Sequence, residues 1–482
     1  MLTVEEIKIF IDEDNASSKK RMAMKGQEYY NGDHDIKDYR LFYYNSDGKL
    51  VEDKNRSNVK IPHPFFTELV DQATQYILSG DGLIKSDIPE LQSELDRYFN
   101  KDEDFISELS ECLTGGQSKG FEYMYVYKNA ENRIAFQCAD SIGVVEVRAK
   151  DTDANTEHVI RWYVDIIGKE QKEIKRIQVW DANEVAYYVQ EGNGEIVVDV
   201  SEPVNPKPHT LYKKGKDAKT YFDRFGFVPF FRFDNNKKQV SSLKPIKELI
   251  DDYDLMASSL SNNLVDFDTP IHAVKGFQGD NLDELQQNLK TKKIVGLDEN
   301  GGIEVHTVDV PYQAREAKLN LDEKNIYRFG MGLNTAGLKD TAATTNIAIK
   351  AAYSLLDLKC SKLEIRLKQF LRKLIKVVLQ EINENNKTDY QMKDVYFTFD
   401  HEVMSNAQEN AQIELVEAQR RQVEIEILLS LGARLENDLL MQLVAEQLDL
   451  NWEEIKGKVL DPEEAGKQLS QAQSILDNMT AE

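Results

Sequence analysis

The stretch LKPIKELIDDYDLMASSLSNNLVDF, from Leu243 to Phe267, determines the central element of the chain. Its large apolar residues recur every three or four positions, which is the spacing of one helix face. Pro245 suits the first turn of a helix, and Pro270 ends it. The stretch therefore predicts one long amphipathic helix. Its apolar positions are Leu249, Tyr253, Met256, Leu260, Leu264 and Phe267.

A second helix is predicted downstream, from Pro311 to about Gly330. Between the two helices lies a short unit, Thr269–Val310. It contains a predicted strand near Ile271–Val274, a helix near Leu282–Leu289 and a hairpin with the turn DENGG at Asp298–Gly302. The two helices are therefore expected to leave one body and return to it, with this small unit at their far ends.

The second helix is followed by MGLNTAGLKDTAATT, Met331 to Thr345. This segment is rich in threonine and alanine, contains two glycines and is too long for a turn between helices. A third helix is predicted from Asn346 to about Ile382. The chain therefore interrupts a long helical region with a segment of small residues.

The third helix has apolar residues at the a and d positions over four to five heptads. This stripe predicts packing against partners, either within the chain or between chains. Between Ile349 and Val377 the helix also carries eight bases against two acids. The bases have two interpretations. They contact nucleic acid, or they neutralise acidic neighbours, which include a tail with 17 acids and six bases from Glu402 to Glu482.

The first 241 residues combine helices with short runs of β-branched and aromatic residues. Helical spacing covers stretches around Ile7–Ile11, Phe65–Ile77 and Leu91–Leu113. From about Phe121 to Phe233, short runs separated by Asn, Asp and Gly predict antiparallel strands joined by hairpins. Together with the helices downstream, these patterns predict an α+β protein that is mostly helical.

Composition limits the classes of function. A chain of 482 residues exceeds one hydrophobic core, so two to four folding units are expected. The net charge of −24 argues against tight binding of nucleic acid through an overall basic field. The sequence contains no run of 18 apolar residues, so no membrane span is predicted. The acidic N-terminus does not resemble a secretory signal. Three distant cysteines, Cys112, Cys138 and Cys360, indicate free thiols in a reducing compartment.

A search for catalytic and ligand-binding motifs finds no specific match. The sequence has no GxxxxGK[ST] loop, no HExxH or GxSxG motif and no Cys/His cluster. GGQSKG at Gly115–Gly120 has the wrong spacing for phosphate binding and is better explained as a helix-to-strand turn. The acid pairs Asp251–Asp252 and Asp322–Glu323 are adjacent on helices and are interpreted as solvated faces. We therefore predict no catalytic residue, no metal site and no cofactor.

Four stretches, in this order, resemble portal proteins of tailed bacteriophages, in particular the head-to-tail connectors of long-tailed phages that infect Gram-positive hosts. They are YYNGDHDI (Tyr29–Ile36), NRSNVKIPHPFFTELVDQATQYILSG (Asn55–Gly80), the stretch Leu243–Phe267 and VYFTFDHEVMSNAQENAQ (Val395–Gln412). The resemblance covers most of the chain and depends on the order of these soft motifs. It implies a ring, typically of twelve copies or thirteen for recombinant protein, around a central channel for double-stranded DNA.

The resemblance also implies how the subunit is divided. The parts are a wing at 1–241, stem helices at 242–268 and 311–330, a clip at 269–310, a tunnel loop at 331–345, a long wing helix at 346–382, a returning wing strand at 383–404 and a helical crown at 405–482.

Three groups of residues are expected to carry the function that the resemblance implies. The DNA-facing residues of the tunnel loop would be Asn334, Thr335, Gly337, Lys339, Thr341 and Thr344. The channel-lining candidates on the second stem helix are Lys318, Lys324 and Arg328. The partner-binding candidates in the clip are Lys290, Lys292, Lys293, Asp298 and Glu299. Apart from such narrow cationic rings, the channel is expected to be net negative, because strong phosphate contacts would hinder sliding of the DNA.

The implied partners are further copies of the chain, double-stranded DNA, the terminase, head-completion or adaptor proteins, and the major capsid and scaffolding proteins, without a membrane. The implied location is the portal vertex of the virion, after assembly in the host cytoplasm. The chain would not be an enzyme, since the terminase would supply the ATPase. Two other readings are a coiled-coil scaffold or adaptor of low oligomeric order without a DNA channel, and a metal-dependent nuclease that uses scattered acids.

Overall fold

The computed structural model describes residues 2–54, 56–80, 82–148, 156–168, 172–214, 219–267, 271–277, 297–306, 312–335, 346–399, 407–430 and 437–447. The chain divides into two compact units. The first unit comprises residues 1–340 and 351–403, and the second comprises residues 341–350 and 404–482.

The described α-helices follow the apolar repeats of the sequence. They are α1 (Val4–Ala16), α2 (Ser18–Tyr30), α3 (Phe65–Leu78), α4 (Pro89–Leu95), α5 (Glu103–Lys119), α6 (Lys247–Phe267), α7 (Tyr312–Gly330), α8 (Asn346–Asn386), α9 (Ala407–Ser430) and α10 (Asn437–Gln447). In the second unit, α9 and α10 pack against each other.

The described strands form small antiparallel sheets. They are β1 (Phe42–Tyr44), β2 (Leu50–Glu52), β3 (Ile84–Lys85), β4 (Phe121–Lys128), β5 (Ile134–Ala139), β6 (Val144–Arg148), β7 (Thr156–Ile167), β8 (Lys172–Trp180), β9 (Glu184–Glu191), β10 (Val197–Val198), β11 (Lys207–Pro208), β12 (Thr210–Lys214), β13 (Lys219–Asp223), β14 (Phe230–Asp234), β15 (Ile271–Phe277), β16 (Leu297–His306) and β17 (Tyr396–Phe397).

Two sheets form the β part of the first unit. The larger has the order β10-β9-β8-β7-β6, with β11 also paired to β9, and the smaller has the order β14-β4-β5. The pairing of β7 with β8 is continuous from Val159↔Trp180 to Ile167↔Lys172. All pairings are antiparallel. This arrangement confirms the strands and hairpins that the short β-rich runs predict.

Buried apolar residues connect the helices to these sheets. Ile7 and Ile11 of α1 pack on the larger sheet at Val145, Ile160 and Ile177. A second cluster joins the two sheets through aromatic residues, and a third joins α2, α3, α6 and α7. Members of the third cluster include Tyr29, Phe66, Leu69, Ile246, Ile250 and Ile326. This third cluster fixes the base of α6.

Lys20 fastens the N-terminal helices to the β part. Its side chain is 1% exposed, and its Nζ donates to the carbonyls of Ser141 at 2.6 Å and Val144 at 3.1 Å. Asp14 supplies the counter-charge at 2.7 Å. Burial lowers the pKa of Lys20, and the Asp14 carboxylate opposes that shift. A buried ammonium with three oxygen partners holds α2 in a single position.

The GGQSKG stretch is the end of α5 and its turn into β4. Gly120 ends the helix at φ +99°, a left-handed conformation that favours glycine, and Phe121 begins the strand. Gly116 lies inside the helix, where a Cβ would overlap the ring of Phe233. The interpretation as a helix-to-strand turn is confirmed, and the leading glycines serve close packing.

The heptad stripe of α8 packs within its own chain. Tyr353 lies 5.8 Å from the ring of Tyr76 on α3, and Phe370 lies 5.6 Å from the ring of Phe233 on β14. The stripe is buried at Tyr353, Leu356, Cys360, Leu363, Leu367, Phe370 and Leu374. Of the two partners that the heptads allow, the structure therefore favours the chain itself.

The predicted hairpin with its turn at Asp298–Gly302 is wrong. These residues lie inside the single strand β16, which pairs with β15. Its register shifts between Lys275 and Phe277, where Gly302 and Leu297 are the partners. The glycine-containing stretch therefore adds residues to a bulge, since the earlier strand β15 is available as a partner. The predicted helix near Leu282–Leu289 lies outside the described residues.

No helix in the described part of the chain is long and apolar enough to cross a membrane.

Candidate functional site on the paired helices α6 and α7

Helices α6 and α7 form an antiparallel pair. Ile250 near the start of α6 and Ile326 near the end of α7 belong to one buried cluster. At the other end, Asn262 of α6 and Arg315 of α7 line one cavity of about 210 Å³. The pair corresponds in position to the two stem helices that the resemblance implies.

Lys318 of α7 joins the two helices electrostatically. Its Nζ lies 2.5 Å from Asp252 of α6, and it also contacts Asp322 one turn further along α7. Burial acts to lower the pKa of Lys318, but the two carboxylates outweigh burial and raise it. Asp322 is buried, so Lys318 supplies the charge that it needs.

An extended segment runs along α6 and is bonded to it at every second residue. We call residues 57–63 the strap. Four strap N–H groups donate to four side chains on one face of α6. The pairs are Ser57 with Asp266 (3.1 Å), Val59 with Asn262 (2.6 Å), Ile61 with Ser258 (3.0 Å) and His63 with Asp254 (2.9 Å).

The spacing of every fourth residue on α6 matches the spacing of every second residue in the strap because of backbone geometry. Four residues of an α-helix advance about 6.0 Å. Two residues of an extended chain advance about 6.6 Å. Polar side chains at every fourth position of α6 therefore meet the N–H groups of alternate strap residues. Pro62 and Pro64 favour an extended backbone at the end of the strap.

Asp254 is the anchor at the base of this ladder. Its carboxylate is fully buried and lies 2.6 Å from Nδ1 of His34 and 2.8 Å from Nδ1 of His63. The ring of Tyr29 stacks on His34 at 4.5 Å, and its hydroxyl donates to Asp251. Three of the four stretches that carry the resemblance therefore meet at one point of α6.

These contacts correct one interpretation from the sequence. Asp251 and Asp252 are not simply a solvated face, because Tyr29 and Lys247 bind the first and Lys318 binds the second. Asp322 is likewise bound by Lys318, and Glu323 accepts from the Asn334 amide at 3.0 Å. The acid pairs therefore make hydrogen bonds and ion pairs that connect different parts of the fold. Sequence reasoning missed this role, and it also missed the strap, whose signal is the polar residue at every fourth position of α6 from Asp254 to Asp266.

The remaining predicted channel residues lie on the open side of α7. Lys324 and Arg328 are exposed and one helical turn apart. The Arg328 guanidinium lies 5.9 Å from the ring of Phe329. Neither base has an ion pair with a described carboxylate, in contrast to Lys318. The structure thus brings Lys324 and Arg328 together and gives Lys318 a different setting.

The first part of the predicted tunnel loop is fastened to α3. Met331 ends α7 with φ +55°, and Leu333 exchanges two hydrogen bonds of 2.9 Å with the side chain of Gln72. Sequence reasoning also missed Gln72. Asn334 is held by Glu323, as described above, and Thr335 is exposed.

Most of the other predicted site residues lie outside the part of the chain that the structure describes. Gly337, Lys339, Thr341 and Thr344 of the loop lie outside the described residues, as do Lys290, Lys292 and Lys293 of the clip. Asp298 and Glu299 belong to β16. Across the described ranges, no group of three or more His, Cys, Asp or Glu residues could hold a metal ion.

Residues 9–457 match the family described as "Phage portal protein, SPP1 Gp6-like". The chain belongs to this phage portal protein family. The match covers both paired helices, the strap and all four stretches that carry the resemblance, which is thereby confirmed.

Two relatives of the portal family come from phages of Gram-positive hosts. The chain is similar to a portal protein of Bacillus phage SPP1, with 26% identity over 410 residues, 84% of this chain and 78% of the relative. It is also similar to a portal protein of Clostridium phage phiCD119, with 25% identity over 428 residues, 86% of this chain and 89% of the relative.

The strap ladder predicts a difference between two adjacent asparagines. Asn262→Ala removes the acceptor for the Val59 N–H and the donor to the Val59 carbonyl. We expect it to lower the free energy of unfolding by about 1 kcal/mol relative to Asn263→Ala. Amide exchange at Val59 and Ile61 should accelerate only in Asn262→Ala. Equal stability and equal exchange in both variants would show that the ladder is not stabilising.

The bridge between α6 and α7 predicts a difference between two lysines on one helix. Lys318→Met leaves the buried Asp322 without its counter-charge, and we expect a loss of about 1–3 kcal/mol in urea unfolding. Lys324→Met, six residues further along α7, should change stability by less than about 0.5 kcal/mol. The prediction fails if the two variants unfold at the same urea concentration.

Proposed function

We propose that this member of the portal family forms a dodecameric ring at one capsid vertex of a phage. The ring is the conduit for double-stranded DNA in packaging and ejection, and the docking site for terminase and head-completion proteins. The observation that carries this proposal is the family match over residues 9–457. The ring assembles in the host cytoplasm with capsid and scaffolding proteins. The subunit has no catalytic role, and the terminase hydrolyses ATP.

In this proposal α6 and α7 form the channel wall. The strap and the Lys318 bridge support this role, because a wall that passes DNA must keep its shape. Lys324 and Arg328 face the bore and form sparse cationic rings. Double-stranded DNA carries one negative charge per about 1.7 Å of its axis. A few cations per subunit attract the duplex without holding it in one register.

The tunnel loop begins where α7 ends and reaches the passing duplex. The contacts of Leu333 with Gln72 and of Asn334 with Glu323 support a fixed starting point for it. Beyond that point, Thr341 and Thr344 supply hydroxyl groups, Lys339 supplies one charge per subunit, and Gly337 permits unusual backbone angles. The clip candidates, from Lys290 to Glu299, contact the terminase and later the head-completion proteins.

The burial of the α8 heptads weighs against the coiled-coil adaptor. An adaptor of low oligomeric order needs a free a/d stripe. Among the described residues of α8, that stripe is occupied by α3 and β14.

Particle shape and mass test the proposed ring. We expect end-on views in negative stain to show an annulus with a central hole. Mass photometry should give about twelve or thirteen times the subunit mass of 55.3 kDa. Compact particles of two to four subunits would favour the adaptor instead. Cleavage of duplex DNA with Mg²⁺ would point to the nuclease.

Replacement of residues 336–344 by a short glycine linker tests the tunnel loop. The fastened residues 331–335 stay intact, so ring formation should persist. We expect phage assembled with this variant to lose packaged DNA, because nothing in the bore opposes its return. DNA content per particle, measured by quantitative PCR after nuclease treatment, checks this. Wild-type DNA content in the variant particles would show that the loop does not retain packaged DNA.

A further inference from the structure

One side of α8 carries five bases in a row. We call Lys359, Lys362, Arg366, Lys373 and Lys376 the basic face. Their spacing of 3, 4, 7 and 3 residues places them on one side of the helix over about 26 Å. The buried heptad stripe occupies another side. Lys362, Lys373 and Lys376 are exposed, and the other two are partly buried.

Among the described residues, the basic face has no counter-charge. In the part of the chain that the structure describes, no carboxylate lies within ion-pair distance of these five bases. Lys359 donates only to the carbonyl of Leu69, at 2.9 Å. Burial lowers the pKa of Lys359 to about 8. The subunit has an excess of 24 acids, so unpaired bases grouped on one helix face mark a surface that something else covers.

Apolar side chains on the solvent side of α8 indicate what kind of partner covers it. Leu358, just before Lys359, is 50% exposed, and Ile365, between Lys362 and Arg366, is 59% exposed. A cavity of about 540 Å³ lies beside them, lined by Asn235, Ser242 and three of the bases. The exposed apolar side chains favour a protein partner, because a phosphate backbone makes no use of exposed aliphatic groups. The partner is therefore an acidic protein surface.

The chain itself offers such a surface on α5. Five acids and no base occur from Asp102 to Glu111. Asp104, Glu108 and Glu111 follow at intervals of four and three residues and share one helix face. We call these three residues the acidic face. Glu108 and Glu111 also line a cavity of about 430 Å³ with Glu122 and Asp140.

Different residues of α5 lie toward α8 and beside the cavity that Glu108 and Glu111 line. Gly116 of α5 faces Phe233, whose ring contacts Phe370 of α8. Gly115 and Ser118 of α5 line the acidic cavity instead. Because the two faces are complementary in charge and lie on different helices, two copies can join head to tail. A head-to-tail contact closes into a ring when its rotation divides a full turn.

We infer that the basic face of α8 is a contact surface between copies of this chain, and that it binds the acidic face of α5 in the next copy. This inference rests on the proposed ring and identifies one of its contacts.

Charge reversal in the full-length chain tests this contact. Lys362→Glu with Lys373→Glu reverses the basic face, and Asp104→Lys with Glu111→Lys reverses the acidic face; all four residues are exposed. Either pair alone should lower the ring fraction in mass photometry at least tenfold at 150 mM salt. All four substitutions in one chain should restore it. Lys8→Glu with Lys244→Glu matches the charge change of the basic-face variant and should leave rings intact.

The outcomes separate this inference from the proposed function. Wild-type protein that forms no ring contradicts the proposed function. Wild-type rings together with full ring formation in both reversed variants overturn the inference alone. Rings that persist but lose binding to a fluorescent duplex would assign the basic face to DNA and also overturn it. So would failure of the fourfold variant to form rings when its circular dichroism and thermal unfolding match wild type.

A second measurement does not depend on variants. Rings assembled from a mixture of ¹⁴N- and ¹⁵N-labelled chains are treated with a carbodiimide, which joins amines to carboxylates in direct contact. We expect mixed-isotope peptides that link Lys362, Lys373 or Lys376 to an acid of α5. Links from these lysines found only within one copy would overturn the inference.

Discussion

The buried carboxylate of Asp254 is the constraint on which the arrangement of the first unit depends. A carboxylate without solvent must find hydrogen-bond donors, and here they come from His34, His63 and the His63 backbone. These residues lie 220 and 191 positions away in the chain. The helix pair, the α2 end and the strap therefore form one connected structure. Without this anchor, the strap would lose the first rung of its ladder, and α6 would lose its fixed position.

Two kinds of interaction hold α6: backbone hydrogen bonds from the strap, and ion pairs from Lys318 of α7. The strap binds α6 through backbone N–H groups, which need only extended geometry, and the side chain of His63 adds a second contact with Asp254. Lys318 binds α7 with charge, which needs two carboxylates in reach. Gln72 then fixes the chain just after α7 through the backbone of Leu333. Together, the strap, the Lys318 ion pairs and the Gln72 hydrogen bonds fix the helix pair and the start of the loop relative to α3.

The sequence predicts elements well where one local period dominates. The apolar repeat gave α6, and the heptads gave α8 with its buried stripe. It fails where the partner is distant in the chain. DENGG has the composition of a turn, but β15 pairs with β16 on both sides of it, so its extra residues form a bulge within one strand. The acids Asp251 and Asp252 look solvated because Tyr29, Lys247 and Lys318, which bind them, come from other elements or from a different turn. The polar repeat in α6 was visible, but only the strap explains it.

The same reasoning separates the two sides of α8. The apolar side is satisfied by α3 and β14, so its heptads describe the fold of one subunit. The basic side has no ion pair with a described acid, and we infer that its charges contribute to a contact with another subunit. A sequence shows both patterns superimposed on one helix and cannot tell which is internal. The structure separates them, because contacts within the chain account for one pattern and leave the other unexplained. A charge pattern that no contact within the chain explains is the best evidence about assembly that a single chain contains.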